Sequence, residues 1–475
     1  MGIRTKLYIL LFSIIVYMAL QSVVGCGGSG GSTGPALNPV PSNPNEWMWV
    51  SGSDTANQVG ALGTGSYGTL GVASPTNNPG PRKGAMTWAD ATGNLWLFGG
   101  YGNDSTSGFC ELNDLWKYSA GEWTWMGGSN LPDQAGVYGT LGTASSSNIP
   151  GARQDAATWA DAMGNLWLFG GEYVQKSPYN NLIALQDYND LWRYSGGKWT
   201  WMGGSKPNPL QPIVSGSYGT QGKASPSNIP GARFDAVTWV DKNGNLWLFG
   251  GNGWDSAEDE GYLNDLWEYS GGEWTWVSGS NVNNQPGSYG TQGMAAAGNT
   301  PGARFGAVGW TDTSGNFWLF GGVGATSNGQ EGALNDLWEY SGGQWIWMSG
   351  SDVPDQPGSY GTKGVAAAGN APAARYEAVS WTDASGNFWL FGGRSGSGRF
   401  NDLWKYSGGK WTWMSGSDQP GQSGVYGSQG TAAAANTPGA RYSPAAWTDK
   451  DGNLWLLGGA TGPFTWFNDL WVYKP

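Results

Sequence analysis

The chain has 475 residues, enough for one large domain or two to three ordinary ones. Gly supplies 83 of them, well above the usual ~7%, yet 32 Trp and 21 Tyr argue for a packed core rather than disorder. A net charge of −12 argues against nucleic-acid binding, and the absence of histidine removes the usual general base, most zinc and copper sites and Ser–His–Asp mechanisms.

Arg4 and Lys6 precede an apolar run from Leu7 to about Leu20, the pattern of a secretory signal. The run leads to Val23-Val24-Gly25-Cys26, which resembles a bacterial lipobox. The resemblance implies that residues 1–25 are removed as a signal peptide and that Cys26 is acylated. The other reading is an uncleaved anchor helix with Cys26 incidental. Residues 26–45, rich in Gly, Ser and Pro, read as a flexible tether. The expectation is export across the inner membrane and a lipid anchor in the cell envelope. Gly27 stands where some lipoproteins carry an acidic inner-membrane signal, which points toward the outer membrane. Cys110 is the other cysteine; with no His to activate it, it reads as an incidental thiol.

From residue 46 the chain is repetitive. The run GN(L/F)WL(F/L)GG occurs six times, ending in Gly99-Gly100, Gly170-Gly171, Gly250-Gly251, Gly321-Gly322, Gly392-Gly393 and Gly458-Gly459. Each unit divides into four strands, taken here from the third. Strand a runs from an Arg through a Trp (232–241), b is NLWLFGG, c is NDLWEY and d is WTW. Asp, Asn and Gly in the a–b and c–d connections are hairpin chemistry, because Gly and Asn accept positive φ cheaply. Units of four antiparallel strands at this period predict an all-β propeller. The last unit stops at Tyr473, and its missing strand d is the orphan EWMWV at 46–50, so residues 46–475 read as one ring of six blades closed by the N-terminal strand. Five Trp in each unit account for all but Trp254 and Trp466 of the 32.

The diglycine followed by a Tyr and Trp five apart (Tyr118/Trp123, Tyr194/Trp199, Tyr269/Trp274, Tyr340/Trp345, Tyr406/Trp411) resembles the kelch repeat. The resemblance implies a six-bladed kelch-type β-propeller. It also extends to galactose oxidases, whose copper site needs two His and a Tyr crosslinked to a Cys. This chain has no His, so that activity is not expected and no cofactor is assigned. No metal is assigned either: the stretch starting at Asp449 puts Gly452 and Ala460 out of step with an EF-hand.

The d–a and b–c connections leave a blade on one face, and they are the long ones: 348–375 is a typical d–a segment, and b–c loops range from 394–400 to 172–188. Long variable loops on a rigid scaffold are where binding is expected. Every d–a segment carries a Tyr-Gly (Tyr67, Tyr138, Tyr218, Tyr289, Tyr360, Tyr426). These tyrosines read either as stacking surfaces for sugars or peptides or as pins holding each loop to a blade. The Arg opening strand a (Arg82, Arg153, Arg233, Arg304, Arg375, Arg441) reads as an anion site or as a blade-to-blade hydrogen-bonder, and the Asn-Asp before strand c as a turn former. Two residues after each Arg the identity breaks: Gly84, Asp155, Asp235, Gly306, Glu377 and Ser443. Asp155, Asp235 and Glu377 would then face a ligand at the channel mouth, with Trp254 and Trp466 from asymmetric loops as further candidates.

These features predict a tethered, monomeric binding or scaffolding protein outside the cytoplasm, with a protein or polysaccharide partner. The competing expectation is a carbohydrate-active enzyme using paired carboxylates.

Overall fold

A computed structural model of the chain describes residues 39–58, 64–105, 109–176, 183–208 and 213–475. The signal segment and Cys26 lie outside the described residues.

The described residues are all-β, and six antiparallel sheets share one plan. In sheet 3, strand a is Val237–Val240, b Leu246–Trp254, c Glu260–Ser270 and d Glu273–Ser278. Strands a of sheets 1, 2, 4 and 5 are Met86–Ala89, Ala157–Ala160, Val308–Thr311 and Val379–Thr382. Sheet 6 takes a, b and c from Ala445–Thr448, Leu454–Leu457 and Leu470–Lys474. Its strand d is Glu46–Ser51, with Trp47 opposite Tyr473 and Met48 opposite Val472. Strands a lie side by side in the cyclic order 1 to 6 and back to 1, a propeller-like arrangement.

Strand b has no polar face because it is buried on both sides. Leu95 and Leu97 pack into the core between sheets 6 and 1, and Trp96 and Phe98 into the core between sheets 1 and 2. Four equivalent cores separate the other neighbours. Trp239 of strand a reaches across, its indole donating to the Trp318 carbonyl of sheet 4 at 3.0 Å. The Tyr–Trp spacing of five is a cross-strand pair: Tyr269 faces Trp274 over the c–d hairpin, with rings 5.1 Å apart. The diglycine is a close approach. Gly100 donates its N–H to the Arg153 carbonyl of the next sheet at 2.9 Å. A Cβ on Gly99 would stand 2.7 Å from the Leu112 oxygen and 2.8 Å from that of Arg153.

Each sheet is nailed together by one buried ion pair. In sheet 3, Arg233 donates from Nη1 to Asp265 Oδ1 (2.6 Å) and from Nη2 to Oδ2 (2.8 Å). It also donates to the carbonyls of Gly231 and Gly250, both at 3.0 Å. Asp265 Oδ2 accepts further from the Tyr218 hydroxyl and the Trp267 indole, each at 2.7 Å. The same pair recurs as Arg82–Asp114, Arg153–Asp190, Arg304–Asp336, Arg375–Asp402 and Arg441–Asp469. Two expectations are sharpened here. The arginine side chains bridge strands within their own sheet, because the Asp that matches the guanidinium fork lies in strand c of that sheet or just before it. The hydrogen bonds to the neighbouring sheet come instead from the arginine backbones, as in Arg233 N–H to Tyr188 O at 3.1 Å. The Asn-Asp is more than a turn former: its Asp is that counter-ion. Its Asn ties the sheet to its surroundings, Asn264 Oδ1 accepting from the Ser280 N–H at 3.1 Å.

The long d–a segments are also placed differently from expectation. Each leaves one sheet and runs along the outer edge of the next. Gly222 N–H donates to Trp276 O at 2.8 Å and Asn228 Nδ2 to Trp274 O at 3.0 Å, both on strand d of sheet 3. Equivalent bonds cover strand d in every sheet, down to Gly430 on Trp49 and Asn436 on Trp47. The segments thus satisfy an edge that would otherwise be open to pairing with another chain.

Replacing Asp265 by Asn leaves the Arg233 charge buried without its counter-charge. Denaturant unfolding is expected to show a loss of about 3–5 kcal/mol, against less than about 1 kcal/mol for an exposed control such as Val353→Ser.

Candidate functional site

The strand predicted from Arg233 to Trp239 is broken at Asp235, where φ is +53°. Arg233–Phe234 pairs with the far end of strand b, and strand a proper resumes at Val237. The same bend occurs at Gly84, Asp155, Gly306, Glu377 and Ser443, with φ between +46° and +64°. At these bends the backbones join in a cycle. Asp155 N–H donates to Gly84 O (2.9 Å), Asp235 to Asp155 (2.9 Å), Gly306 to Asp235 (3.0 Å), Glu377 to Gly306 (2.8 Å), Ser443 to Glu377 (2.9 Å) and Gly84 to Ser443 (3.0 Å). All six residues line one cavity of about 160 Å³, backed by Ala85, Ala156, Ala236, Ala307, Ala378 and Pro444.

The side chains on this cycle are not alike. Asp155, Asp235 and Glu377, separate in sequence, are brought to one cavity. The two glycines make room: a Cβ on Gly84 would sit 2.3 Å from Asp155 Oδ1. Burial raises the Asp155 carboxyl above its usual range, with Lys83 pulling the other way. Glu377 is likewise raised by burial and opposed by Arg394. Asp235 is pushed well above the carboxylate range by burial, then by the charges of Asp155 and Glu377.

A second tier, missed in the sequence, comes from the residue just after each Arg: Lys83, Gln154, Phe234, Phe305, Tyr376 and Tyr442. This position is as varied as the one beside it, which was its only signal. Lys83 Nζ donates to Gln154 Oε1 at 2.8 Å and lies 3.9 Å from Asp155 Oδ2. Gln154 Nε2 donates to Glu172 Oε2 at 3.1 Å. The other arc is aromatic, with Phe234 and Phe305 edge to face at 6.2 Å and Phe305 and Tyr376 at 6.0 Å.

Behind the polar arc lies a buried acidic group. Burial, then Asp155, raises the Glu172 carboxyl to about 7. Burial, then Glu172 and Glu260, raises Asp187 to about 8, against an indole hydrogen bond from Trp254. Glu111 is wholly buried, and neither carboxylate oxygen has a hydrogen-bond partner among the described residues. Burial drives it well above its ordinary range, opposed by Lys83. Among the described residues, no three His, Cys, Asp or Glu converge as a metal site.

The remaining candidates are engaged within the fold. Tyr67, Tyr138, Tyr218, Tyr289, Tyr360 and Tyr426 each spend their hydroxyl on the Asp of the ion pair. Tyr218, 5% exposed, also packs its ring on Trp267 and Trp276. Each tyrosine pins its segment to the sheet that the segment leads into. Trp466 is 0% exposed and stacks edge-on with Tyr101. Trp254 is half-buried and held by Asp187. Cys110 is buried and burial pushes its thiol up, which suits an inert side chain.

No protein-family profile matches the chain. No curated protein matches it either. Among solved structures, it is similar to one described as the structure of YjhT, with a TM-score of 0.45 and 14% identity over 85% of this chain and 95% of the other.

An acid whose folded pKa is raised favours folding most below its unfolded pKa and loses that contribution as pH rises through the folded value. For Glu172 the window runs from the ordinary glutamate value of 4.5 to about 7. Glu172→Gln is therefore expected to match the parent below that window and to exceed it above, by up to roughly 3 kcal/mol. Chemical denaturation at pH 4.5 and 8 checks this; an equal difference at both pH values contradicts it.

Proposed function

We propose that the chain is a six-bladed kelch-type β-propeller, exported and lipid-anchored at Cys26 in the cell envelope. In this reading it is a binding or scaffolding protein that takes a protein or polysaccharide partner at the mouth described above. Support for the architecture comes from the six sheets of common plan, the diglycines, the Tyr–Trp pairs and the seating of Glu46–Ser51 in the last sheet. One observation carries the binding reading. The Arg–Asp–Tyr chemistry is the same in all six sheets, whereas the cycle at the mouth carries two Gly, two Asp, a Glu and a Ser at equivalent positions. A structural role repeated six times asks for one residue type; a ligand without sixfold symmetry asks for several. Because the d–a segments are engaged on outer edges, the reading rests on the mouth and the b–c loops.

The second reading is a carbohydrate-active enzyme. It is favoured by Asp235, a carboxyl held well above its usual range near Asp155 and Glu377, as a general acid requires.

The test uses the full-length protein in detergent on a glycan array and in pull-downs from envelope extracts. A partner captured by the parent is expected to bind roughly tenfold or more weakly to Phe305→Ala and Asp235→Asn, and unchanged to Val353→Ser. A partner indifferent to both mouth substitutions would overturn the reading. Glycoside turnover abolished by Asp235→Asn and Glu377→Gln, in proteins that still fold, would replace it with the enzyme.

A further inference from the structure

Sheet 5 contains a finished cation clamp. Tyr376 pairs across the strands with Arg394. Arg394 Nη2 donates to Glu377 Oε1 at 2.8 Å, and its Nε lies 2.5 Å from Oε2. The guanidinium lies 4.8 Å from the ring centre of Tyr376 and 4.1 Å from that of Tyr442 in sheet 6. One carboxylate from the cycle, one aromatic ring from the same sheet and one from the next together hold a guanidinium. This is an ion pair carrying one charge-assisted hydrogen bond, combined with two cation–π contacts.

Sheet 3 repeats three of these four parts. Asp235 stands where Glu377 stands, Phe234 where Tyr376 stands, and Phe305 where Tyr442 stands. The fourth part differs: Phe234 pairs with Asn252, at the position that Arg394 holds in sheet 5. Asn252 is short and neutral. Asp155 has Lys83 and Glu377 has Arg394, but among the described residues Asp235 enters no ion pair. Phe234 and Phe305 are both half-buried, and Tyr262 packs behind Phe305 at 5.1 Å. The cavity that Asp235 lines, about 160 Å³, is smaller than the roughly 300–1,000 Å³ of small-molecule pockets. It suits one side-chain head rather than a run of sugars.

We propose that Asp235, with Phe234 and Phe305, receives a guanidinium or ammonium group on an exposed Arg or Lys side chain of a partner protein. The proposal rests on the mouth being the binding site and goes further by naming the chemistry it reads. The ligand would supply to sheet 3 what Arg394 supplies to sheet 5. The mouth therefore selects a basic residue at the tip of a loop, and a neutral isostere leaves Asp235 buried against like charges.

The experiment is calorimetric titration of the full-length protein in detergent with N-acetyl-arginine methylamide, the matching lysine compound and the neutral citrulline compound. The arginine compound is expected to bind at least roughly tenfold more tightly than citrulline, with lysine between them. Asp235→Asn is expected to remove that preference. Asn252→Arg copies sheet 5 into sheet 3; it is expected to abolish binding while raising the melting temperature, which separates occupancy from misfolding. Equal affinity for arginine and citrulline, or unchanged arginine binding in a folded Asn252→Arg protein, overturns the proposal. A glycan or protein partner that depends on Phe305 but not on charge would leave the mouth as the binding site and sink this inference alone. A partner independent of both Phe305 and Asp235 would sink both.

Discussion

One bidentate ion pair organises each sixth of this molecule. A buried guanidinium is costly unless its donors are matched, and here four of the five N–H groups of Arg233 meet an acceptor. In sheet 3 the fork of Arg233 takes Asp265, and its other donors take the Gly231 and Gly250 carbonyls. The same carboxylate collects Tyr218 from the covering segment and Trp267 from strand c. Four pieces of chain, distant in sequence, are thereby fixed relative to one point. Burial, then the Asp265 charge, holds the Tyr218 hydroxyl well above its ordinary range, so it remains a donor at any physiological pH.

The mouth depends on that anchor. Two residues past each Arg the chain turns into the left-handed region, and the backbone hands a hydrogen bond to its neighbour. Because the peptide groups make the cycle, the ring itself asks of the side chains at the bend only that they tolerate positive φ. Asp tolerates it better than most residues and Gly freely. Carboxylates can therefore gather there at the cost of their burial and their mutual repulsion, without breaking the ring. Part of that repulsion is answered by Lys83 and Arg394.

The repeat, the hairpins and the strand that completes the last sheet were legible in the sequence because each is a local pattern copied six times. The gathering of Asp155, Asp235 and Glu377 was legible for the opposite reason: they interrupt a copied position. What escaped were relations across sequence distance. Asp265 beside Asn264 looks like turn chemistry until Arg233, 32 residues away, is seen to face it. The d–a segments looked like display loops because nothing in their composition says that Gly222 lies against Trp276. The second tier was hidden by the bend itself. An extended strand sends neighbours such as Phe234 and Asp235 to opposite faces, and positive φ at Asp235 breaks that alternation. Arg394, in the shortest b–c loop, showed no pattern at all until its place over Tyr376 and Tyr442 was known.

The cyclic bond has an electrostatic corollary. Left-handed turns often aim their N–H groups into a concavity and so make a nest for anions. Here each of the six N–H groups is directed at a neighbouring carbonyl around the cycle. The peptide dipoles chase one another around the axis instead of pointing along it. The N–H groups of these six bends are therefore spent on the ring and are not offered to whatever enters. Discrimination at this tier draws on the handful of side chains that differ around the cycle. Exchanging two or three of them would redirect the molecule to another ligand while the ring beneath stayed as it is.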